Sequence, residues 1–314
     1  MENFSFDRHT GALTGASIRE RLAALTFAAG ARASAPMHWR GFSVACRAIR
    51  TMLEPREIVV ELNDDAKFAF PFGDGYWSLL LDRGFVYEGE VESFLRSIAD
   101  IDYCFFDGGA NFGDWSVLVS SEPFGNQSVI AIEPSSTNIS RLRRNAAING
   151  SRIKVVERAI AATNGKMVRL EGTKHEAFRV ADSIDTKLEA AETVETVTLD
   201  ALLDYVRPGQ ALVVKLDIEG MEIPAIKGGL NILEHETALI VEDHGADRSH
   251  AISRYLIEEA DCHLFVFDKA AGDYRALTDI SALDAIKKST IFGYNIIATR
   301  SASWRDRIES PCVR

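Results

Sequence analysis

The sequence predicts an α/β protein built on one mostly parallel sheet with helices on both faces. Three observations carry that expectation. From Asp102 onward, short apolar runs alternate with amphipathic segments, the pattern of repeated strand–helix units. The first run, Tyr103–Asp107, passes directly into the glycine turn Gly108-Gly109-Ala110-Asn111-Phe112-Gly113. A second run, Ser128 to Ile132, ends in Glu133, twenty residues after Gly113.

Residues 1 to about 95 carry no strong motif and read as a helical and β-hairpin extension, placed to cap a substrate site. Arg19-Glu20-Arg21, the apolar run Leu22–Ala29 and the stretch Ala31–Ala35 have the outline of a secretory leader. The charged start lies far from Met1 and contains Glu20, so an alanine-rich amphipathic helix packed on the domain fits better. Glu57–Leu62 and Lys67–Phe72 read as a hairpin turned at Asn63-Asp64-Asp65. Gly73-Asp74-Gly75 breaks the chain before Tyr76–Leu81. Val91, Phe94, Leu95 and Ile98 fall at helical spacing over Glu88–Ile98.

The alternating region, residues 96–300, follows. Strand Tyr103–Asp107 leads to a helix from Gly113 to about Ser121, then to strand Ser128–Glu133. Helix Ser136–Ala147 sets Ile139, Leu142 and Ala146 on one face, and Ile153–Arg158 is the third strand. Met167–Leu170 and Glu195–Leu199 interrupt the pattern as a side hairpin, and Asp200–Tyr205 is a short helix. Ala211–Asp217 and Ala238–Glu242 are the fourth and fifth strands, and His250–Glu259 is helical. Cys262–Phe267 and Thr290–Thr299 lie close in sequence, with room only for a short helix at Ser281–Lys287. Strands so connected pair more easily antiparallel. The sum is a seven-stranded mixed sheet, followed by a C-terminal tail, 301–314.

Bulk properties narrow the function. The 314 residues carry a formal charge of −11 with no clustered basic surface, which argues against a nucleic-acid partner. Arg141–Arg144 and Lys287-Lys288 are short and read as solvated helix faces. Cys46, Cys104, Cys262 and Cys312 form no C-x-x-C pair, so reduced, buried thiols and a cytoplasmic location are expected. No apolar run approaches the ~18 residues of a membrane span. Homo-oligomerisation is left open.

The glycine turn and Glu133 together suit a nucleotide-type cofactor. The turn lets a ligand approach backbone, and a carboxylate at the next strand tip can accept both ribose hydroxyls. The turn is Asp-x-Gly-x-Asn-x-Gly, with Asn111 where a dinucleotide site prefers the glycine that admits a pyrophosphate. A ligand without pyrophosphate and with a positive amino group, S-adenosylmethionine, fits this turn with its acidic Asp107.

Further motifs carry a resemblance. Asp107-x-Gly109-Ala110-Asn111-x-Gly113, Glu133-Pro134 with Asn138, Lys215-x-Asp217-x-Glu219-Gly220-x-Glu222 and Glu242-x-His244 are similar, in order and spacing, to the FkbM-type family of S-adenosylmethionine-dependent methyltransferases. The resemblance covers about Glu88 to Arg300. It implies a class I, Rossmann-like fold with strand order 3-2-1-4-5-7-6 and strand seven antiparallel. It also implies methyl transfer to a hydroxyl oxygen of a sugar, glycan or secondary metabolite, hence a small-molecule or glycan acceptor.

The residues have their own chemistry. Asp107 suits the methionine ammonium, and the backbone N–H groups of the Gly109–Gly113 loop suit its carboxylate. The plain alternative is a strand-to-helix turn that needs positive φ at its glycines and tolerates it at Asn111. Glu133 suits the ribose. Asn138 suits the adenosine or a capping role equally. The loop at Arg158 and Ala159 is expected over the adenine through backbone contacts. Lys215 and Asp217 share a strand face at the carboxyl end of the fourth strand, where α/β sheets place ligands. With Glu219 they would orient an acceptor hydroxyl; the alternative is a structural Lys215–Asp217 pair, with Glu219 and Glu222 capping or solvated. Glu242 and His244 share a face if the fifth strand reaches that far, and His244 is the candidate general base. Asp217, Glu219, Glu242, Asp243 and His244 also offer ligands to a divalent ion such as Mg²⁺, although their spacing has no closed metal signature. Two rivals remain at this level: an NAD-dependent oxidoreductase and a non-catalytic adenosyl-binding protein.

Overall fold

The computed structural model describes residues 3–171, 179–181, 192–289 and 293–309. The N-terminal part contains β1 (Phe4–Asp7), β2 (Leu13–Thr14), α1 (Ile18–Ser34), α2 (Phe42–Arg50), β3 (Glu57–Asn63), β4 (Ala66–Pro71) and α3 (Gly89–Ser97). The expected hairpin is β3–β4. Two short strands that the sequence did not reveal extend it to the order β2-β1-β3-β4, with β1 parallel to β3. Ser17 and Glu20 close a reciprocal capping box at the start of α1. Glu20 is buried there because Arg56 donates to both its oxygens.

The remaining elements are β5 (Tyr103–Gly108), α4 (Asp114–Val119), β6 (Ser128–Ile132), α5 (Ser136–Ile148), β7 (Ile153–Val156), β8 (Ala159–Ile160), β9 (Met167–Glu171), β10 (Arg179–Ala181), β11 (Thr193–Val197), β12 (Ala211–Leu216), α6 (Glu222–Lys227), β13 (Thr237–His244), α7 (Ala251–Glu258), β14 (His263–Asp268), β15 (Asp273–Ala276), α8 (Ala282–Ile286), β16 (Gly293–Thr299) and α9 (Ala302–Glu309). The large sheet runs β15-β14-β16-β13-β12-β5-β6-β7. Its seven strands from β14 to β7 have the expected order, and β16 is antiparallel to both neighbours. The sheet has eight strands rather than seven, because β14 turns back through β15 at its edge. The side hairpin is part of a four-stranded sheet, β10-β9-β11-β8. Asp200–Tyr205 is a 3₁₀ turn. The expected tail contributes α9, whose Trp304 and Ile308 join the core. Most of the polar stretch Thr173–Thr193 and Cys312 lie outside the described residues; the other three cysteines are free and buried. No helix among the described residues is long and apolar enough to cross a membrane.

Strands β5 and β12 are buried on both faces, which is why they read as unbroken apolar runs. Phe105 and Val213 enter one core layer, Phe106 and Val214 the other. The N-terminal sheet docks through a backbone-mimicking contact. Asn145 Oδ1 accepts from Ala69 N–H at 2.7 Å and its Nδ2 donates to Ala69 O at 3.1 Å. Asn149, one helical turn later, does the same with Lys67. Two amides, one on α5 and one at its C-terminal cap, thus satisfy the free edge of β4, which would otherwise expose unpaired ladder groups. Phe112, from the glycine turn itself, packs into the aromatic core of the N-terminal part beside Trp77.

Candidate active site

A cleft opens at the carboxyl ends of β5, β6 and β12. Asp107, Gly109, Ala110, Asn111, Glu133, Asn138 and Ala159 line one part of it, and Lys215, Asp217 and Glu219 another. Tyr76, Trp77 and Tyr87 of the N-terminal part line it as well. All the predicted site residues therefore converge except Gly113 and His244.

The turn is built differently from expectation. Its backbone N–H groups do not face a ligand. Gly109 and Ala110 both donate to Ile132 O, at 2.9 and 3.0 Å. Asn111 N–H donates to Glu133 Oε2 at 2.9 Å, Phe112 N–H to Asn111 Oδ1 and Gly113 N–H to Ala110 O. The loop folds back on the end of β6, which takes three of these donors, and the loop itself takes the other two. Its glycines are also explained by packing. A Cβ on Gly109, at φ +80°, would lie 2.0 Å from Asp217 O, and one on Gly113, at φ +88°, would lie 2.4 Å from Leu142 Cδ1. Asn111 holds a left-handed φ of 52°, the tolerance Asn shares with Gly.

Asp107 accepts from Ser116 Oγ at 2.5 Å and so ties β5 to the first turn of α4. Burial pushes its pKa up to about 6. Glu133 accepts from Asn111 N–H and Ser135 N–H, both at 2.9 Å, and from Asn138 Nδ2 at 3.3 Å. Burial outweighs these three donors and pushes Glu133 up to about 7. Asp114 is the lining residue that sequence reasoning missed. An acidic residue opening a helix reads as ordinary dipole chemistry, and nothing in the sequence separates that from a cleft carboxyl. It is 4% exposed, its Oδ1 has no hydrogen-bond partner, and burial pushes it up to about 7 despite Arg8 nearby. Ala159 lies in β8, paired to β11, and Arg158 pairs with Glu195 at 3.0 Å.

The other part of the cleft is organised around one cation. Lys215 sits level with Asp107 across the β5–β12 pair and is 3% exposed. Its Nζ lies 3.0 Å from Asp217 Oδ2 and 3.4 Å from Glu88 Oε2. Glu88 also accepts from Trp115 Nε1 at 2.6 Å and Asn295 Nδ2 at 3.0 Å. Asp217 is hydrogen-bonded to Glu242. Burial, then the Asp217 charge, push Glu242 up to about 10, so Glu242 carries the shared proton. Burial opposes ionisation of Asp217, but Lys215 and the Glu242 proton hold it below the ordinary carboxylate range.

Strand β13 does extend to His244, so Glu242 and His244 share a face. His244 does not line the cleft. Its Nδ1 is 3.8 Å from Glu242 Oε1 and its Nε2 3.8 Å from Glu222 Oε1. Glu222 caps the turn after β12, accepting from Ile218 and Gly220 N–H, both at 3.2 Å. Asp243 leaves the site altogether. Strand alternation sends it to the opposite face, where it meets Lys287 at 2.7 Å and Ser253 at 2.5 Å. Lys287 is therefore fully buried, not on a solvated helix face. Among the described residues no group of three or more His, Cys, Asp or Glu is arranged to hold a metal ion.

Comparison with known proteins bears on this geometry. A family model described as the Methyltransferase FkbM domain matches residues 107–263, from the cleft-lining Asp107 to β14. The chain belongs to the FkbM methyltransferase family. It is an S-adenosylmethionine-dependent methyltransferase, which removes the oxidoreductase and the non-catalytic alternatives. A curated relative, hexuronic acid methyltransferase AglP from Haloferax volcanii, is 25% identical over 195 residues, 62% of this chain and 76% of the relative. Methyltransferase FkbM from Methylobacillus flagellatus KT shares 18% identity at a TM-score of 0.38; the match covers 63% of this chain and 43% of that one. An S-adenosylmethionine-dependent O-methyltransferase from Thermotoga maritima shares 14% identity over 69% of this chain and 67% of that one, at a TM-score of 0.35.

Proposed function

We propose that this FkbM methyltransferase methylates a hydroxyl oxygen of a sugar, glycan or secondary metabolite in the cytoplasm, with residues 1–95 as the cap over its site. One observation supports the reading above others: a single cleft joins buried Glu133 to the Lys215–Asp217 pair, beneath Tyr76, Trp77 and Tyr87. The lining fits the cofactor. Buried carboxyls, one with an oxygen lacking a hydrogen-bond partner, suit a ligand that brings positive charge and hydroxyl donors. When bound, the cofactor supplies an electrophilic methyl on a sulfonium.

Glu133 accepts the ribose hydroxyls, with Asn138 steadying its carboxylate. Asp107 keeps negative charge near the methionine ammonium, and Gly109, Asn111 and Gly113 shape the turn that carries both. Ala159 closes the adenine side. Asp217 accepts a hydrogen bond from the acceptor hydroxyl, while Lys215 holds Asp217 ionised and Glu219 flanks the entrance. The acceptor oxygen would bond the methyl as the sulfonium–methyl bond breaks to leave a neutral thioether, and its proton would pass to Asp217 as Glu242 gives up the proton it shares with Asp217 to His244, the base. Tyr and Trp faces suit the apolar faces of a sugar ring. Lys215 is already compensated by Asp217 and Glu88, so a neutral hydroxyl suits this part of the cleft better than an acidic group.

Labelled cofactor incubated with neutral and acidic glycosides tests the acceptor class; exclusive methylation of acidic ones would overturn it. For the base, His244→Ala is expected to lose about 10²–10⁴-fold in turnover while keeping its affinity for S-adenosylhomocysteine. Unchanged turnover would remove His244 and leave Asp217, which does line the cleft, as the proton acceptor.

A further inference from the structure

Helices α1 and α2 are apolar on two faces. Inward, Ala23, Ala24, Phe27 and Ala31 of α1, with Phe42 and Cys46 of α2, fill the N-terminal core. Outward, Ile18, Leu22 and Leu25 of α1 are 71%, 59% and 65% exposed. Their spacing of four and three residues makes one stripe. Val44 on α2 and Met52 just beyond its end are 67% and 68% exposed, and Met37 lies in the turn between the helices. Among the described residues, six of the eleven exposed large hydrophobic side chains fall in this short segment. Such clustering marks an interaction surface, whereas single exposed apolar residues do not.

The charge of the segment identifies the partner. Between Ile18 and Arg56 stand seven arginines and two glutamates, in a chain of net charge −11. Glu20 is occupied by Arg56. Arg19, Arg40, Arg47 and Arg50 are exposed and form no ion pair with any described residue. At the end of α2, Arg50, Arg56 and Arg141 line a cavity of about 250 Å³ together with Glu57. An apolar stripe edged by arginines, on an otherwise acidic protein, matches the layered chemistry of an anionic lipid surface. Acyl chains would meet the leucines, and headgroup phosphates the guanidinium groups, whose stems can lie along the interface. A second copy is the weaker occupant, since it would set like charges against each other.

We propose that the outer faces of α1 and α2 dock this protein on an anionic lipid surface. The contact is peripheral and separate from the cleft. It does bring the cleft near the lipid, because α1 packs on Trp77–Leu81 and Trp77 lines the cleft.

Flotation of the full chain with vesicles tests this. Vesicles of phosphatidylcholine alone are compared with an equal mixture of phosphatidylcholine and phosphatidylglycerol. Binding is expected only to the mixture, and is expected to vanish in 1 M salt, where the screening length is about 3 Å. Leu22→Glu with Leu25→Glu should weaken binding by more than ~10-fold, since two leucines leave the apolar layer. Arg47→Gln with Arg50→Gln should weaken it about thirtyfold, each arginine near an anionic surface contributing about 1 kcal/mol. Leu230→Glu, an exposed leucine outside the segment, should change nothing. All substituted side chains are exposed, and a melt that matches the parent confirms each fold. The proposal is overturned if the mixed vesicles do not bind, or if binding survives the double leucine variant. It is equally overturned if the protein dimerises in light scattering, the leucine variant splits the dimer, and no vesicle binding is seen.

Discussion

The two parts of the cleft hold carboxyl groups in different ways, nearly fully buried around the turn and partly buried around Lys215, and their charge states differ. Around the turn, Asp107, Asp114 and Glu133 form no ion pair with a described residue, and burial pushes them up to about 6, 7 and 7 although Lys215 acts on Asp107 and Arg8 on Asp114. Around Lys215, Asp217 is held low, and only Glu242, the carboxyl beside it, is driven to hold a proton. Desolvation raises every one of these groups, and direct contact with the Lys215 ammonium, 3.0 Å away, together with the Glu242 proton, offsets it at Asp217. One part thus lacks a paired cation, which agrees with the cationic ligand proposed for it, and the other is self-compensated, which agrees with the neutral hydroxyl proposed there.

The most damaging way to break that contrast is to remove the ammonium. Lys215→Met leaves Asp217 and Glu88 without their shared cation, a loss expected to destabilise the fold by about 3–5 kcal/mol in urea at neutral pH. Asp217, left with the desolvation that Lys215 offset, should then bind its proton more tightly in the folded state than in the unfolded chain. Part of the loss should accordingly return as the pH is lowered to about 5. A variant as stable as the parent at neutral pH would mean that Asp217 is held low by solvent and not by Lys215.

How much of this was legible in the sequence follows the same division. The central strands could be read because burial on both faces leaves no polar residue in Phe105-Phe106 or Leu212-Val213-Val214. Glu133 stood out as a carboxylate ending such a run. Strands β1, β2 and β15 were too short to show a period, and β1 pairs with a partner more than fifty residues away. Lys287 looked solvated because its partner, Asp243, lies on a distant strand. Gly109 and Gly113 read as room for a ligand, whereas in the fold the close neighbours that bar a Cβ there are Asp217 O and Leu142. Residue type showed where carboxyls gather; which of them keeps its proton depends on distances that only the fold sets.

A smaller effect sharpens the contrast from the turn side. Glu133→Gln preserves shape and removes the charge, and is expected to weaken S-adenosylhomocysteine binding about 10- to 100-fold by calorimetry, the range for hydrogen bonds to a charged acceptor. In the parent, binding should tighten as the pH rises through about 7, because hydroxyl donors favour the ionised Glu133. In the Gln variant that pH dependence should flatten. Equal affinities at every pH would place the ribose elsewhere.

The smallest expected effect concerns Asp114. Asp114 titrates at about 7 in the fold, against 3.8 for an ordinary aspartate. Between those values the unfolded chain has released a proton that the folded chain keeps. Stability therefore falls as the pH rises through that window, and above about 7 the full cost is present. Asp114→Asn should remove part of that slope and stabilise the ligand-free protein at pH 8 by roughly 1–2 kcal/mol, less than the shift alone implies because the amide must also be desolvated. Urea titrations at pH 5 and pH 8 measure both numbers. A parent whose stability does not fall between them would mean that water reaches the carboxyls of the turn, and the charge contrast between the two parts of the cleft would disappear.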